Sequence, residues 1–70
     1  MIIKMNAELL QKLEEDGFVI DKNRTDKGAM ITPYIKGEDK FTIFGGKMFF
    51  EESMRNYING LKVDYQEINK

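Results

Sequence analysis

The 70-residue sequence contains no cysteine, no histidine, no tryptophan and a single proline. Without cysteine there is none of the disulfide framework that holds many small secreted domains together, so a reducing compartment is the natural expectation. Lacking both imidazole and thiolate, the chain has none of the commonest zinc ligands, and it also lacks the most frequent general base. A nucleophile would have to be Ser53, a threonine, a lysine or a carboxylate, served by a lysine, tyrosine or carboxylate base. No G-x-S-x-G, P-loop, G-x-G-x-x-G, H-E-x-x-H or EF-hand spacing occurs. These absences lead us to expect a protein with no catalytic residues, no metal and no cofactor. The opening Met1-Ile2-Ile3-Lys4-Met5 is interrupted by charge too early for a signal segment, and no apolar run approaches the ~18 residues of a membrane span. We therefore expect no membrane association and a cytoplasmic location. Charge of one sign is also missing. The formal net charge is −1, with five basic and six acidic residues over 1–35 and six of each over 36–70, so there is no polyanion-seeking tail.

What is present suits a single small soluble domain over 1–70. Hydrophobic residues make up 41% and charged residues 33%, enough apolar surface to offset chain entropy in a domain that folds alone or as a small homo-oligomer. Nine lysines against two arginines, with eight isoleucines and five asparagines, is the residue usage associated with AT-rich genomes of low-GC bacteria and their phages.

Asn6 is a good N-cap for a helix over 7–16, with Met5 and Leu10 as a hydrophobic staple and Leu9, Leu10 and Leu13 as the apolar stripe. Gly17 suits the left-handed position after the helix, from which Phe18 closes back on Leu13. Strands are predicted over 18–20, 29–36 and 41–44, with polar turns between them, which gives an antiparallel meander. Pro33 conflicts with this order, because it would remove a ladder hydrogen bond from a central strand. Gly45-Gly46 has two readings: a two-residue primed turn pairing 41–44 with 47–50, or a loop into a helix. The spacing of Phe50, Met54, Tyr57, Ile58 and Leu61 predicts a helix over 51–59, and 61–70 is a strand, a helical turn or a tail. The expected fold class is thus α+β, helix–three-stranded antiparallel sheet–helix (α-β-β-β-α).

Three features can carry binding. Glu14, Glu15 and Asp16 crowd the C-terminal end of the first helix, where the helix dipole disfavours carboxylates. Either they form a solvated end or, with Glu38, Asp39, Glu51 and Glu52, an acidic patch for a basic partner. Phe49 and Phe50 cannot both point to one face of a strand, so one of them is a candidate apolar anchor. Lys22, Arg24 and Lys27 surround the first polar turn, as solvated lysines or as phosphate contacts, the latter joined by Lys36, Lys40 and Lys47.

The order of elements resembles the double-stranded-RNA-binding domain, whose last helix opens on lysines. Here that stretch reads Phe50-Glu51-Glu52-Ser53-Met54-Arg55, and carboxylates there would repel a phosphate backbone. The layout is also similar to small phage-encoded anti-CRISPR proteins that inhibit an RNA-guided nuclease. The resemblance runs through the short N-terminal amphipathic helix, the polar turn Asn23-Arg24-Thr25-Asp26, the strand ending near Gly37-Glu38-Asp39, and the helix end Tyr57-Ile58-Asn59-Gly60. Members of that group that fill the DNA-binding site are strongly acidic, and this chain departs from them. The expectation is a small protein-binding module, with a phage or mobile-element inhibitor of a nucleic-acid enzyme as its concrete form and a basic protein surface as its partner. Nucleic-acid binding through the basic turn is the alternative.

Overall fold

The computed structural model describes residues 1–24 and 30–68. Its elements are β1 (Ile2–Lys4), α1 (Ala7–Glu15), β2 (Val19–Ile20), β3 (Thr32–Lys36), β4 (Asp39–Phe44), β5 (Lys47–Phe50), a 3₁₀ turn (Glu52–Met54) and α2 (Arg55–Gly60). The strands form one sheet of order β1-β5-β4-β3-β2, with every neighbouring pair antiparallel. The α+β class therefore matches the expectation, but the sheet has five strands where three were expected. The two additional strands, β1 and β5, pair with each other through Ile2↔Phe49, Ile3↔Met48 and Lys4↔Lys47. Phe44↔Lys47 closes the β4–β5 hairpin over Gly45 and Gly46, at φ 60° and 74°. Positive φ at both central residues is the primed turn that matches strand twist, so this one of the two glycine readings is correct.

Helix α1 is built from local signals. The Asn6 side chain, on an extended backbone, accepts from the Leu9 N–H at 3.0 Å. At the other end Gly17 takes φ 111°, with Gly17 N donating to Glu14 O at 3.1 Å and Phe18 N to Leu13 O at 3.1 Å. That pair of bonds is a Schellman closure, and it needs a residue without Cβ at this φ. Leu9 and Leu13 are fully buried. The expected helix over 51–59 is shorter and shifted: Phe50 is the last residue of β5, and α2 runs from Arg55 to Gly60 after the 3₁₀ turn.

Pro33 lies in β3, opposite Thr42 of the central strand β4. Its carbonyl accepts from Asp21 N at 2.9 Å, so the side on which it lacks an N–H faces β2, where that strand ends. The Asp21 carbonyl that would have needed this donor accepts from Arg24 N instead, at 3.1 Å. The ladder thus loses no partner, which is the condition for proline within a sheet.

After α2 the chain turns at Lys62, the single described non-glycine residue with positive φ (60°). An extended stretch then lies along β1, with Ile68 N bonded to Ile2 O at 2.8 Å, Lys4 N to Gln66 O at 2.9 Å, and an isolated bridge Ile3↔Glu67. A left-handed conformation costs a side-chain-bearing residue roughly 1–2 kcal/mol. Lys62→Gly is therefore expected to stabilise the fold by up to about 1 kcal/mol, less the entropy glycine adds to the unfolded chain, and a urea melt reads this directly.

Strand alternation sorts the sheet into two faces. One carries Ile3, Tyr34, Phe41, Met48 and Phe50 into a core with Leu9, Leu13, Phe18, Met54, Ile58 and Val63. Phe41 is at its centre, with ring centroids 4.9 Å from Tyr34, 5.0 Å from Phe50 and 5.3 Å from Phe18. Both helices contribute to this core, so they share one side of the sheet.

Candidate functional site

By the same alternation and register, the opposite face, which is helix-free among the described residues, carries Ile2 and Lys4 from β1, Lys47 and Phe49 from β5, and Lys40, Thr42 and Phe44 from β4, with Pro33, Ile35 and Val19 beyond. Pro33 is buried, whereas Phe49, Thr42, Ile2 and Ile35 are half-exposed. Phe44 is 49% and Val19 60% exposed. None of these ten strand positions holds an acidic residue. Lys4, Lys40 and Lys47 are exposed and make no ion pair among the described residues. Lys4, Lys47 and Phe44 lie in one row across three adjacent strands, a span of about 10 Å, and Lys40 is about 13 Å further along β4. The face is a shallow platform of two phenylalanine rings among lysines, of which Lys40 also acts on the nearby Asp21 carboxylate.

At the β3 side of this face Arg24 is held in place. Its Nε donates to Asp21 Oδ2 at 2.8 Å and its Nη2 to the Tyr34 carbonyl at 2.7 Å. Asp21, buried at 6% exposure, also accepts from Asn23 N at 3.0 Å. The Arg24 hydrogen bond, with the Asn23 N–H, keeps the Asp21 carboxyl below its usual range against the opposing effect of burial. Arg24 therefore joins the end of β2 to β3, a structural task that the reading of a free basic turn did not include. Lys22 is exposed, Lys36 is paired with Asp16 at 3.7 Å, and Lys27 lies outside the described residues.

The acidic residues gather elsewhere. The Lys36–Asp16 pair brings the end of α1 to the β3–β4 turn, with Glu38 in the turn and Asp39 opening β4, and the β4–β5 register puts Glu51 and Glu52 at that same end of the sheet. Sequence reasoning could not settle this convergence. Much of the charge is answered within the chain: Glu14 accepts from the Tyr34 hydroxyl at 3.0 Å, Glu15 from Gln11 at 3.2 Å, Asp16 pairs with Lys36, and Glu52 pairs with Arg55. Burial, assisted by the Glu14 bond, raises the Tyr34 hydroxyl above its ordinary value. Glu38, Asp39 and Glu51 are exposed and without ion pairs among the described residues. Of the two candidate anchors, Phe50 is in the core and Phe49 is on the helix-free face.

Arg55 closes the chain ends together. It grips Glu67 with Nη1–Oε1 at 3.0 Å and Nη2–Oε2 at 2.9 Å, and it also bonds Glu52, which lies 3.7 Å from the terminal amine. The Arg55 hydrogen bonds lower both carboxyls and raise the guanidinium. A carboxyl lowered in the folded state stabilises the fold above its unfolded pKa, and that contribution disappears as pH falls through the folded value. Asp21, Glu52 and Glu67 all shift in this direction from ordinary values of 3.8 and 4.5. Urea midpoints are thus expected to be level from pH 7 to about 5 and to fall below about 4.5, with Arg55→Met flattening the fall.

Lys4 was not visible as a site residue, because Ile2-Ile3-Lys4 has no strand signature of its own and becomes a strand only against β5. The primed-turn reading of Gly45-Gly46 was the available signal for Phe44 and Lys47, since it sets them opposite each other. Among the described residues no group of His, Cys, Asp or Glu is arranged to hold a metal ion, and no helix is long and apolar enough to cross a membrane. No protein-family model matches the chain, and no curated protein or solved structure matches it significantly.

Proposed function

We propose that this chain is a small non-catalytic binding module whose contact surface is the helix-free sheet face, and that its partner is single-stranded nucleic acid. The observation that supports the reading is the set of Lys4, Lys40 and Lys47, on a face whose strand positions hold no acidic residue, around the exposed ring of Phe44 and the partly buried ring of Phe49. Bases in a single strand offer their flat faces to aromatic side chains while the phosphates meet cations, and such stacking contributes about 1–3 kcal/mol per base. A duplex hides those faces, and the outward residues of α1, among them Glu8 and Glu15, bring acid rather than base to a groove. Face-to-face pairing of two copies would set lysines against lysines. The test is fluorescence anisotropy with a labelled oligothymidylate and with a hairpin duplex. We expect saturable binding of the single strand, weakened about fivefold or more by Phe49→Ala. Equal affinity for both probes, or no effect of the substitution, contradicts the reading.

A second reading is supported by the convergence of Glu38, Asp39 and Glu51 at one end of the sheet. There the module would engage a basic protein surface, with an inhibitor of a nucleic-acid enzyme, carried by a phage or mobile element, as the concrete form. Glu38→Lys with Asp39→Lys would abolish such binding and leave oligonucleotide affinity unchanged or raised.

A further inference from the structure

Next to the platform is a pocket of about 260 Å³ whose walls include Arg24, Lys40, Thr42, Phe49 and Glu51. Its cations are unequal in freedom. Lys40 is an exposed lysine on an open strand position, whereas the Arg24 guanidinium is fixed by buried Asp21 and the Tyr34 carbonyl. These two bonds use Nε and Nη2, and Nη1 has no hydrogen-bond partner among the described residues. A guanidinium carries five N–H donors in a rigid fork, so one oriented by a carboxylate behind it offers its remaining donors at low entropic cost. Thr42, with its hydroxyl, and Phe49, with its ring, belong to the same lining. The one carboxylate on the wall, Glu51, is exposed.

From this arrangement we infer that the pocket at Arg24 seats one phosphate group, with Arg24 and Lys40 as its cations, Thr42 as a hydroxyl donor and Phe49 as the wall for the attached nucleoside. A guanidinium already held in place and a second positive charge suit tetrahedral oxygens, and arginine is the preferred residue where forked recognition matters. The pocket's chemistry stands on its own. Only the identification of the phosphate as part of a nucleic-acid strand rests on the function proposed above. The phosphate can be an internal diester or a terminal monoester, and the two sources are separable by experiment.

The experiment is an NMR titration of the whole chain, following the Arg24 Nε–H signal and the Lys40, Thr42 and Phe49 amides. The probes are thymidine, thymidine 5′-monophosphate, and an oligothymidylate with and without a 5′-phosphate. We expect the monophosphate to shift Arg24 and Lys40 saturably and thymidine to leave Arg24 unmoved. Lys40→Ala, which leaves the Asp21–Arg24 clasp intact, is expected to weaken the monophosphate about tenfold. Arg24→Lys keeps the charge but not the fork and is expected to weaken it at least as much, provided the amide spectrum shows the fold retained. A 5′-phosphate that tightens the oligonucleotide assigns the pocket to a strand end, and equal affinities with Arg24 still shifted assign it to an internal diester. If thymidine and its monophosphate shift the same signals equally, or Arg24 stays unmoved by every phosphate probe, the inference is overturned. Monophosphate binding at Arg24 without oligonucleotide binding would remove the nucleic-acid reading and leave the pocket, whereas platform shifts with a silent Arg24 would do the reverse.

Discussion

Phe41→Ala is expected to cost about 3–5 kcal/mol, the range for removing a buried aromatic ring. The ring is 2% exposed and touches Phe18, Tyr34 and Phe50, so its removal leaves a cavity bordered by three other rings that cannot all close in. Stabilities near 0.05–0.15 kcal/mol per residue put a domain of this length at about 4–10 kcal/mol. The single change therefore removes a large share of the total and leaves a partly unfolded population at 37 °C. Phe44→Ala is the control, with the same side chain on the same strand three residues away. Phe44 is half-exposed on the opposite face, and its loss is expected to cost under about 1 kcal/mol. Urea melts followed by circular dichroism compare the two, and equal costs would mean that the assignment of sheet faces is wrong.

Reversing two charges on the open face is expected to have the largest effect on binding. Lys4→Glu with Lys47→Glu replaces a directly opposed cross-strand pair, Lys4↔Lys47, by two carboxylates in the row that holds Phe44. Single-stranded binding should weaken roughly tenfold or more, and the slope of log affinity against log salt should flatten by about 0.7 for each phosphate that is no longer neutralised. Neither lysine has an ion pair among the described residues, so stability should change by less than about 1 kcal/mol. Anisotropy titrations at several salt concentrations give both the affinity and the slope.

The elements legible in the sequence are those whose instructions are local. Asn6, the leucine spacing and Gly17-Phe18 lie within thirteen residues and determine α1 with both its ends. Strand β1 is the opposite case. Ile2 and Ile3 carry no alternation, and their strand state comes from Phe49 and Met48 on one side and the 66–68 stretch on the other. The shortened second helix has a related cause. Phe50 and Met54 share the core, which mimics helical spacing, but one ends a strand and the other ends a 3₁₀ turn. Pro33 appeared to forbid an interior strand because sequence does not say which side of the strand its missing donor faces.

The site was hidden for a different reason. A net charge of −1 averages over a molecule in which Glu38, Asp39 and Glu51 collect at one end of the sheet and Lys4 and Lys47 lie at the other end of the open face, with Lys40 beside Glu51 between them. Clusters adjacent in sequence, such as Glu14-Glu15-Asp16, drew notice, yet each of these three is already bonded within the chain. The lysines and rings of the face come from three separate strands and become neighbours only through the register.

On the function proposed above, the helix-free face, and not the acidic end, meets a single strand of nucleic acid. The most direct test is to add an oligothymidylate of about eight nucleotides, within the site sizes common for such platforms, to isotopically labelled protein and map the amide shifts. Shifts are expected to concentrate at Ile2, Lys4, Lys40, Thr42, Phe44, Lys47 and Phe49, with Glu8, Glu15 and Glu38 still. Shifts concentrated at Glu38, Asp39 and the end of α1, or none at millimolar oligonucleotide, would contradict it.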